Sequence, residues 1–266
     1  MKIQLIGGDR RQLYLADYIR AHGFQVSTSA RGTAAPPDWE ADICILPLPA
    51  TRDGVFLNAP MAAEPVALQS VLDHFKGKLL FGGMLPPAPQ ASYRVIDYFA
   101  AEEVTIGNIV PTVEGALALA IENTPFTLLN HPALVLGAGR IGSLLASRLT
   151  ALGAAVTVAA RREASLAACR ALGAKARLYE DLPLQRFRLI FNTVPARVLE
   201  EERLRRLPQD ALLIELASKP GGFDPQKAEA LGLRVMQAPG LPGKFAPETA
   251  AEIIGEYILK EMEHCE

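Results

Sequence analysis

Short, wholly apolar runs alternate along this chain with stretches whose apolar residues recur at helical spacing. Such runs read as strands buried in a parallel sheet, and the periodic stretches as the helices that cover it. The clearest pair is the strand Ala133-Leu134-Val135-Leu136 and the helix Arg140 to Leu152, with Leu144, Leu145, Leu149 and Leu152 for burial. A second apolar strand, Ala155 to Ala160, follows at βαβ distance. Upstream, the pattern predicts strands at Lys2–Ile6, Phe24–Ser27, Asp42–Leu46 and Lys78–Phe81. It predicts helices at Asp9–Ala21, near Pro65–Phe75 and near Pro89–Phe99, with Leu13, Ala16, Tyr18 and Ile19 buried in the first and Gly23 as its cap. Downstream, Leu189–Phe191, Ala211–Leu216 and Leu233–Gln237 read as strands, and Phe245–Met262 as an amphipathic helix.

Strand and helix in alternation imply an α/β fold, here two Rossmann-like doubly wound parallel-sheet domains with a cleft between them. At 266 residues the chain has room for two domains of the usual ~100–150. The first, 1–113, closes near Val104–Ile109 and is expected to hold substrate and catalysis. A helix over 114–124, alanine-rich at Ala116–Glu122, joins it to a cofactor domain over 125–244, and the last helix, 245–266, is expected to return to the first domain.

The join between Leu136 and the following helix reads GAGRIG, with Gly137, Gly139 and Gly142 around Ala138, Arg140 and Ile141. In a dinucleotide fingerprint the first glycine makes the tight turn, the second lets the pyrophosphate approach the backbone, and the third lets helix pack on strand. Free amides and the helix dipole then favour negative charge. Three glycines also serve a turn that only packs, and it is the second strand that favours the cofactor. That strand ends in Ala160-Arg161-Arg162, with no acid before Glu163. A carboxylate there would bond the ribose hydroxyl of NAD, whereas a guanidinium suits the 2′-phosphate of NADP. The plainer reading is two solvated arginines at a helix start. Asn192-Thr193-Val194-Pro195, at another strand's carboxyl end, fits the wall of the nicotinamide pocket.

Composition narrows the class. The formal charge of −2 gives no electrostatic case for nucleic acid or an anionic membrane. Cys44, Cys169 and Cys265 are scattered, which fits reduced cytoplasmic thiols, and no metal-ligand spacing is present. The N-terminus lacks the pattern of a signal peptide, and no apolar run approaches the ~20 residues of a membrane helix.

Three further groups are candidates for an anionic substrate. Asp9, Arg10 and Gln12 follow the Gly7-Gly8 turn, where Asp9 serves either as a helix cap or, with its neighbours, as a cleft residue. Thr112 and Glu114 likewise cap a helix start or face the cleft. Ser218, Lys219, Gly221 and Gly222 follow another strand.

With GGDRRQ at Gly7–Gln12, PTVEG at Pro111–Gly115, GAGRIG, NTVP, LASKPGG at Leu216–Gly222 and APGLPGKFAPETA at Ala238–Ala250, the chain resembles the dipicolinate synthase A-subunit family nearly end to end. Lys219 and Lys244 depart from it, standing where the family often has arginine and an apolar residue, and Arg31–Glu40 and Pro47–Ala63 match it loosely. The resemblance implies a two-domain, NADP-binding, dehydrogenase-like protein of spore formation, working in the mother-cell cytoplasm with the flavoprotein-like B-subunit of dipicolinate synthase. It implies oxidation of dihydrodipicolinate, or of 4-hydroxy-tetrahydrodipicolinate after dehydration, to pyridine-2,6-dicarboxylate. Aromatisation drives that reaction, so the protein must chiefly position the ring and its two carboxylates. Arg10, Arg11 and Lys219 are the cations at hand, Thr112 and Ser218 neutral donors, and Glu114 the candidate base; the histidines lie outside the cleft motifs. Two other readings fit the same motifs. One is an NAD(P)-dependent dehydrogenase of a 2-keto or 2-amino acid, and the other a non-catalytic nucleotide-binding regulatory subunit. A homodimer is compatible with each.

Overall fold

The computed structural model describes residues 1–30, 36–86, 92–171 and 173–264, so the expectations at Cys265 and at parts of the Arg31–Glu40 and Pro89–Phe99 segments lie outside the described residues. The chain divides into two compact units, Met1–Asn108 with Pro242–Glu266, and Ile109–Leu241.

In the first unit, β1 (Lys2–Ile6), α1 (Arg10–Ala21), β2 (Gln25–Ser29), β3 (Ile43–Ile45), α2 (Leu68–His74), β4 (Leu79–Gly82), β5 (Arg94–Asp97) and α3 (Glu102–Gly107) follow in order. The five strands are parallel, arranged β2-β1-β3-β4-β5. The direction of winding reverses between β1 and β3, which is where an open α/β sheet has its ligand crevice.

The second unit opens with α4 (Ile109–Asn123), β6 (Pro132–Leu136), α5 (Arg140–Ala151), β7 (Ala155–Ala160), α6 (Glu163–Ala171) and β8 (Lys175–Leu178). It continues with β9 (Leu189–Asn192), α7 (Glu201–Leu204), β10 (Leu212–Glu215), α8 (Pro225–Ala230) and β11 (Arg234–Gln237). Its six parallel strands lie in the order β11-β10-β9-β6-β7-β8. Counted within the unit this is the doubly wound Rossmann order, with its switch point between β6 and β9. Two helices follow, α9 (Leu241–Phe245) and α10 (Pro247–Glu263); Ala251, Ile254, Ile258 and Met262 of α10 join Leu15, Ala16 and Ile19 of α1 in the core of the first unit.

Several expectations need correction. The segment near Pro89–Phe99 contains a strand, β5, where the pattern predicts a helix. Because α3 and α4 run on from each other, Glu102–Asn123 forms a stretch of 22 residues long and apolar enough by composition to cross a membrane. Its Val113, Ala116 and Ala120 are buried in the core of the second unit. The division of the chain falls before Ile109, so the whole of α4 groups with the second unit. On α1 the buried face is Arg11, Gln12, Leu15, Ala16 and Ile19, while Leu13 is exposed.

Candidate functional site

The turn after β6 assigns a separate task to each glycine. Gly137 has φ +104°, in the left-handed region, and a Cβ there would lie 2.3 Å from Thr193 Oγ1. Gly142, in the first turn of α5, would bring a Cβ within 2.1 Å of the Gly137 carbonyl oxygen, so any side chain would push helix from turn. Gly139 differs from both. It is exposed, its φ of −83° suits any residue, and a Cβ would meet nothing within 4 Å. It is also the N-cap of α5 and, having no side chain, supplies no cap of its own to the helix amides. An uncapped helix N-terminus facing open space is what a pyrophosphate needs. Thr193 fixes the turn to the neighbouring strand end, its N–H and hydroxyl both donating to Leu136 O at 2.9 Å. Arg140 is exposed and Ile141 half-buried beside this turn.

Arg161 and Arg162 follow β7 directly, and both are exposed. The Arg162 carbonyl accepts from Ser165 N and Leu166 N at the start of α6. Burial pushes the Tyr179 phenol up, and the Arg161 guanidinium pulls it back, which places that cation within electrostatic reach of the β8 end. Two adjacent exposed guanidinium groups thus follow the second strand of this unit.

The strand ends of β9 and β10 hold a group that motif reading overlooked. Glu215 pairs with Asn192 across the sheet, and the two are 4% and 0% exposed. Asn192 Nδ2 donates to Glu215 Oε1 at 2.6 Å and to Val194 O at 2.9 Å, and its Oδ1 accepts from Val194 N at 3.2 Å. Glu215 also accepts from Ala217 N on Oε1 and from Gly222 N on Oε2, each at 2.9 Å. Burial pushes its carboxyl above the usual range, and these donors oppose the shift. A signal was present, since a carboxylate ending the apolar run Leu212-Leu213-Ile214 has no place in a buried strand without partners. Gly221 and Gly222 are buried against this pair: a Cβ at Gly221 would lie 2.8 Å from Glu215 Oε2, and one at Gly222 2.4 Å from Asn192 Cγ. Ser218, Lys219 and Pro195 are exposed, and Val194 is half-buried.

The first unit distributes its candidates differently. Asp9 caps α1, its Oδ1 accepting from Arg11 N at 3.0 Å, and it is paired with the buried Arg11 guanidinium at 2.7 Å. Arg11 also donates to Leu48 O. Gln12 is buried, with its Nε2 3.4 Å from Ile45 O, and its Cγ occupies the space a side chain at Gly8 would need, 2.0 Å from that Cβ. Of the expected substrate trio, only Arg10 presents an exposed side chain. Thr112 and Glu114 are the fourth and sixth residues of α4, which starts at Ile109, so neither caps it; Glu114 is exposed and Thr112 half-buried. Among the described residues no cluster of histidine, cysteine, aspartate and glutamate could hold a metal, and Cys44 and Cys169 are free thiols.

The comparisons with known proteins agree with this architecture. Residues 2–94 match the model of the N-terminal domain of the dipicolinate synthase A-subunit. The dipicolinate synthase A-subunit of Bacillus subtilis (strain 168) is 33% identical over 283 residues, covering 98% of this chain and 95% of that protein. The crystal structure of the dipicolinate synthase A-subunit from Bacillus halodurans superposes with a TM-score of 0.83 at 27% identity, covering 97% and 96% of the two chains. The fold extends to D-lactate dehydrogenase of Escherichia coli, with a TM-score of 0.63 at 14% identity over 100% and 98% of the two chains. The strand order of both sheets, the three-glycine turn and an end-to-end relative at this identity together place the chain in the dipicolinate synthase A-subunit family.

Proposed function

We propose that the chain is an NADP-dependent oxidoreductase that oxidises dihydrodipicolinate, or 4-hydroxy-tetrahydrodipicolinate after dehydration, to dipicolinate. In this reading it works in the cytoplasm of the mother cell with the flavoprotein-like B-subunit of dipicolinate synthase. The observation that carries the cofactor is the uncapped, open N-terminus of α5 at Gly139. Gly137, Gly139, Arg140, Ile141 and Gly142 would hold the pyrophosphate, Arg161 and Arg162 the 2′-phosphate, and Asn192, Thr193, Val194 and Pro195 the nicotinamide end. When bound, NADP⁺ supplies a hydride acceptor. The chain's own residues then have to orient the ring and take up its proton. Arg10 and Lys219, exposed cations, suit the carboxylates, because charge-assisted bonds are about twice as strong as neutral ones. Ser218 and Thr112 suit weaker donation, and Glu114 suits the base.

The test is calorimetric titration of the purified chain with NADP(H) and NAD(H), followed by turnover assays with and without the B-subunit. Tighter binding of NADP(H) is expected, with dipicolinate formation dependent on NADP⁺. Equal affinity for the two cofactors would remove the assignment to Arg161 and Arg162. Absence of turnover with and without the B-subunit would remove the reaction.

A further inference from the structure

Glu215 poses a physical question that a cofactor turn does not answer. A carboxylate 4% exposed, at the end of a strand and with no cation bonded to it among the described residues, costs free energy to bury. Its bonds reach into two separate loops. Through Asn192 it holds both the N–H and the carbonyl of Val194; directly, it holds the amides of Ala217 and Gly222. Every partner aimed at the carboxylate is a donor, and each oxygen receives at least one, so the carboxylate is the acceptor hub of the bridge. The fit is close as well. Gly221, at φ +74°, and Gly222 lie so near the pair that neither tolerates a Cβ. The loop after β10 therefore rests directly on the carboxylate, and the loop after β9 hangs from the same group through Asn192.

We infer that Glu215 is a positioning residue, whose buried carboxylate locks the 193–195 loop and the 217–222 loop into one arrangement at the nicotinamide end of the cofactor site. This rests on the proposed oxidoreductase reading and deepens it. Glu215 touches neither cofactor nor substrate in this scheme. It governs how the reacting ends are presented, while the adenosine end, held by α5 and Arg161-Arg162, is independent of it. Buried polar hubs of this kind act cooperatively, so removing one acceptor loosens both loops together.

Glu215→Gln keeps the volume but turns an acceptor into a donor that must face another N–H. Glu215→Asp keeps the charge. Three measurements on the full chain decide the inference: amide hydrogen exchange over 193–195 and 217–222, NADPH affinity, and the fluorescence of bound NADPH, which reports the nicotinamide environment. For Glu215→Gln the expected result is exchange in both loops faster by about tenfold or more, since buried donors lose their acceptor. Its NADPH affinity should stay within about twofold, with emission shifted toward that of free NADPH, because the adenosine-end contacts that dominate binding are untouched. Glu215→Asp should recover both the protection and the emission. If Glu215→Gln does not fold, Glu215→Asp against the wild type carries the test, with near-normal emission supporting the inference and free-like emission overturning it. Faster exchange in only one loop, or unchanged NADPH emission in Glu215→Gln, overturns it. Neither readout depends on turnover. A chain that fails to oxidise dihydrodipicolinate would remove the proposed reaction, and the exchange and emission results would still decide the role of Glu215.

Discussion

The two sheets each begin with a strand, a glycine turn and a helix, yet the two turns have opposite fates. After β1, Gly8 takes φ +87° and the space above it is filled by Gln12, while Asp9 caps the helix and pairs with Arg11. That helix start satisfies itself. After β6, Gly139 takes an ordinary φ, leaves open space and caps with no side chain. The N-cap residue there offers no acceptor of its own. Glycine content does not separate these turns; the difference lies in whether the N-cap residue itself supplies an acceptor at the helix N-terminus.

The largest effect is expected where the space is open. Gly139→Val should lower NADP(H) affinity by about 100-fold, because the side chain fills the approach to the turn amides, with the circular dichroism spectrum unchanged. Gly142→Ala should behave in the opposite way, costing about 1–3 kcal/mol of stability in a denaturant melt, since its Cβ would sit on the Gly137 carbonyl. Gly8→Ala should cost a similar ~1–3 kcal/mol, through its positive φ and its crowding of Gln12, while leaving NADP(H) affinity in place.

A smaller effect is expected at the second strand. Replacing Arg161 and Arg162 together with alanine should remove a preference for NADP(H) over NAD(H) of about tenfold, read by competition titration. Retention of the preference would return both arginines to the surface. The smallest effect concerns pH. The Glu215 carboxyl is raised, so its contribution to stability is fully present below the ordinary carboxylate range and is lost as pH rises through its folded value. Glu215→Gln has no such loss. The melting temperature of the variant minus that of the wild type should therefore increase from acid toward neutral pH, and a flat difference would mean that Glu215 is not raised.

Much of this was legible from the pattern. The β6–α5–β7 unit and its turn stand on wholly apolar runs and a leucine stripe, and β7 spans the expected Ala155–Ala160. Weaker signals failed for physical reasons. β8, Lys175–Leu178, is an edge strand with alternating exposure and carries charge, so no apolar run marks it. β5, also at an edge, reads Arg94-Val95-Ile96-Asp97 for the same reason. Thr112 is a residue type that caps helices, but α4 begins at Ile109, and Pro111 falls in its first turn, where proline is tolerated. In the candidate site, glycine spacing singles out the turn after β6, where Gly139 is left open, whereas the placement of Gly221 and Gly222 depends on Glu215, a contact that spacing cannot express.

The claim that only the second turn receives a dinucleotide is tested most directly by the stoichiometry of NADPH binding, measured by calorimetry on the wild type, Gly8→Ala and Gly139→Val. The predicted result is one NADPH per chain, retained in Gly8→Ala and lost in Gly139→Val. Two per chain, or undiminished binding in Gly139→Val, would contradict it.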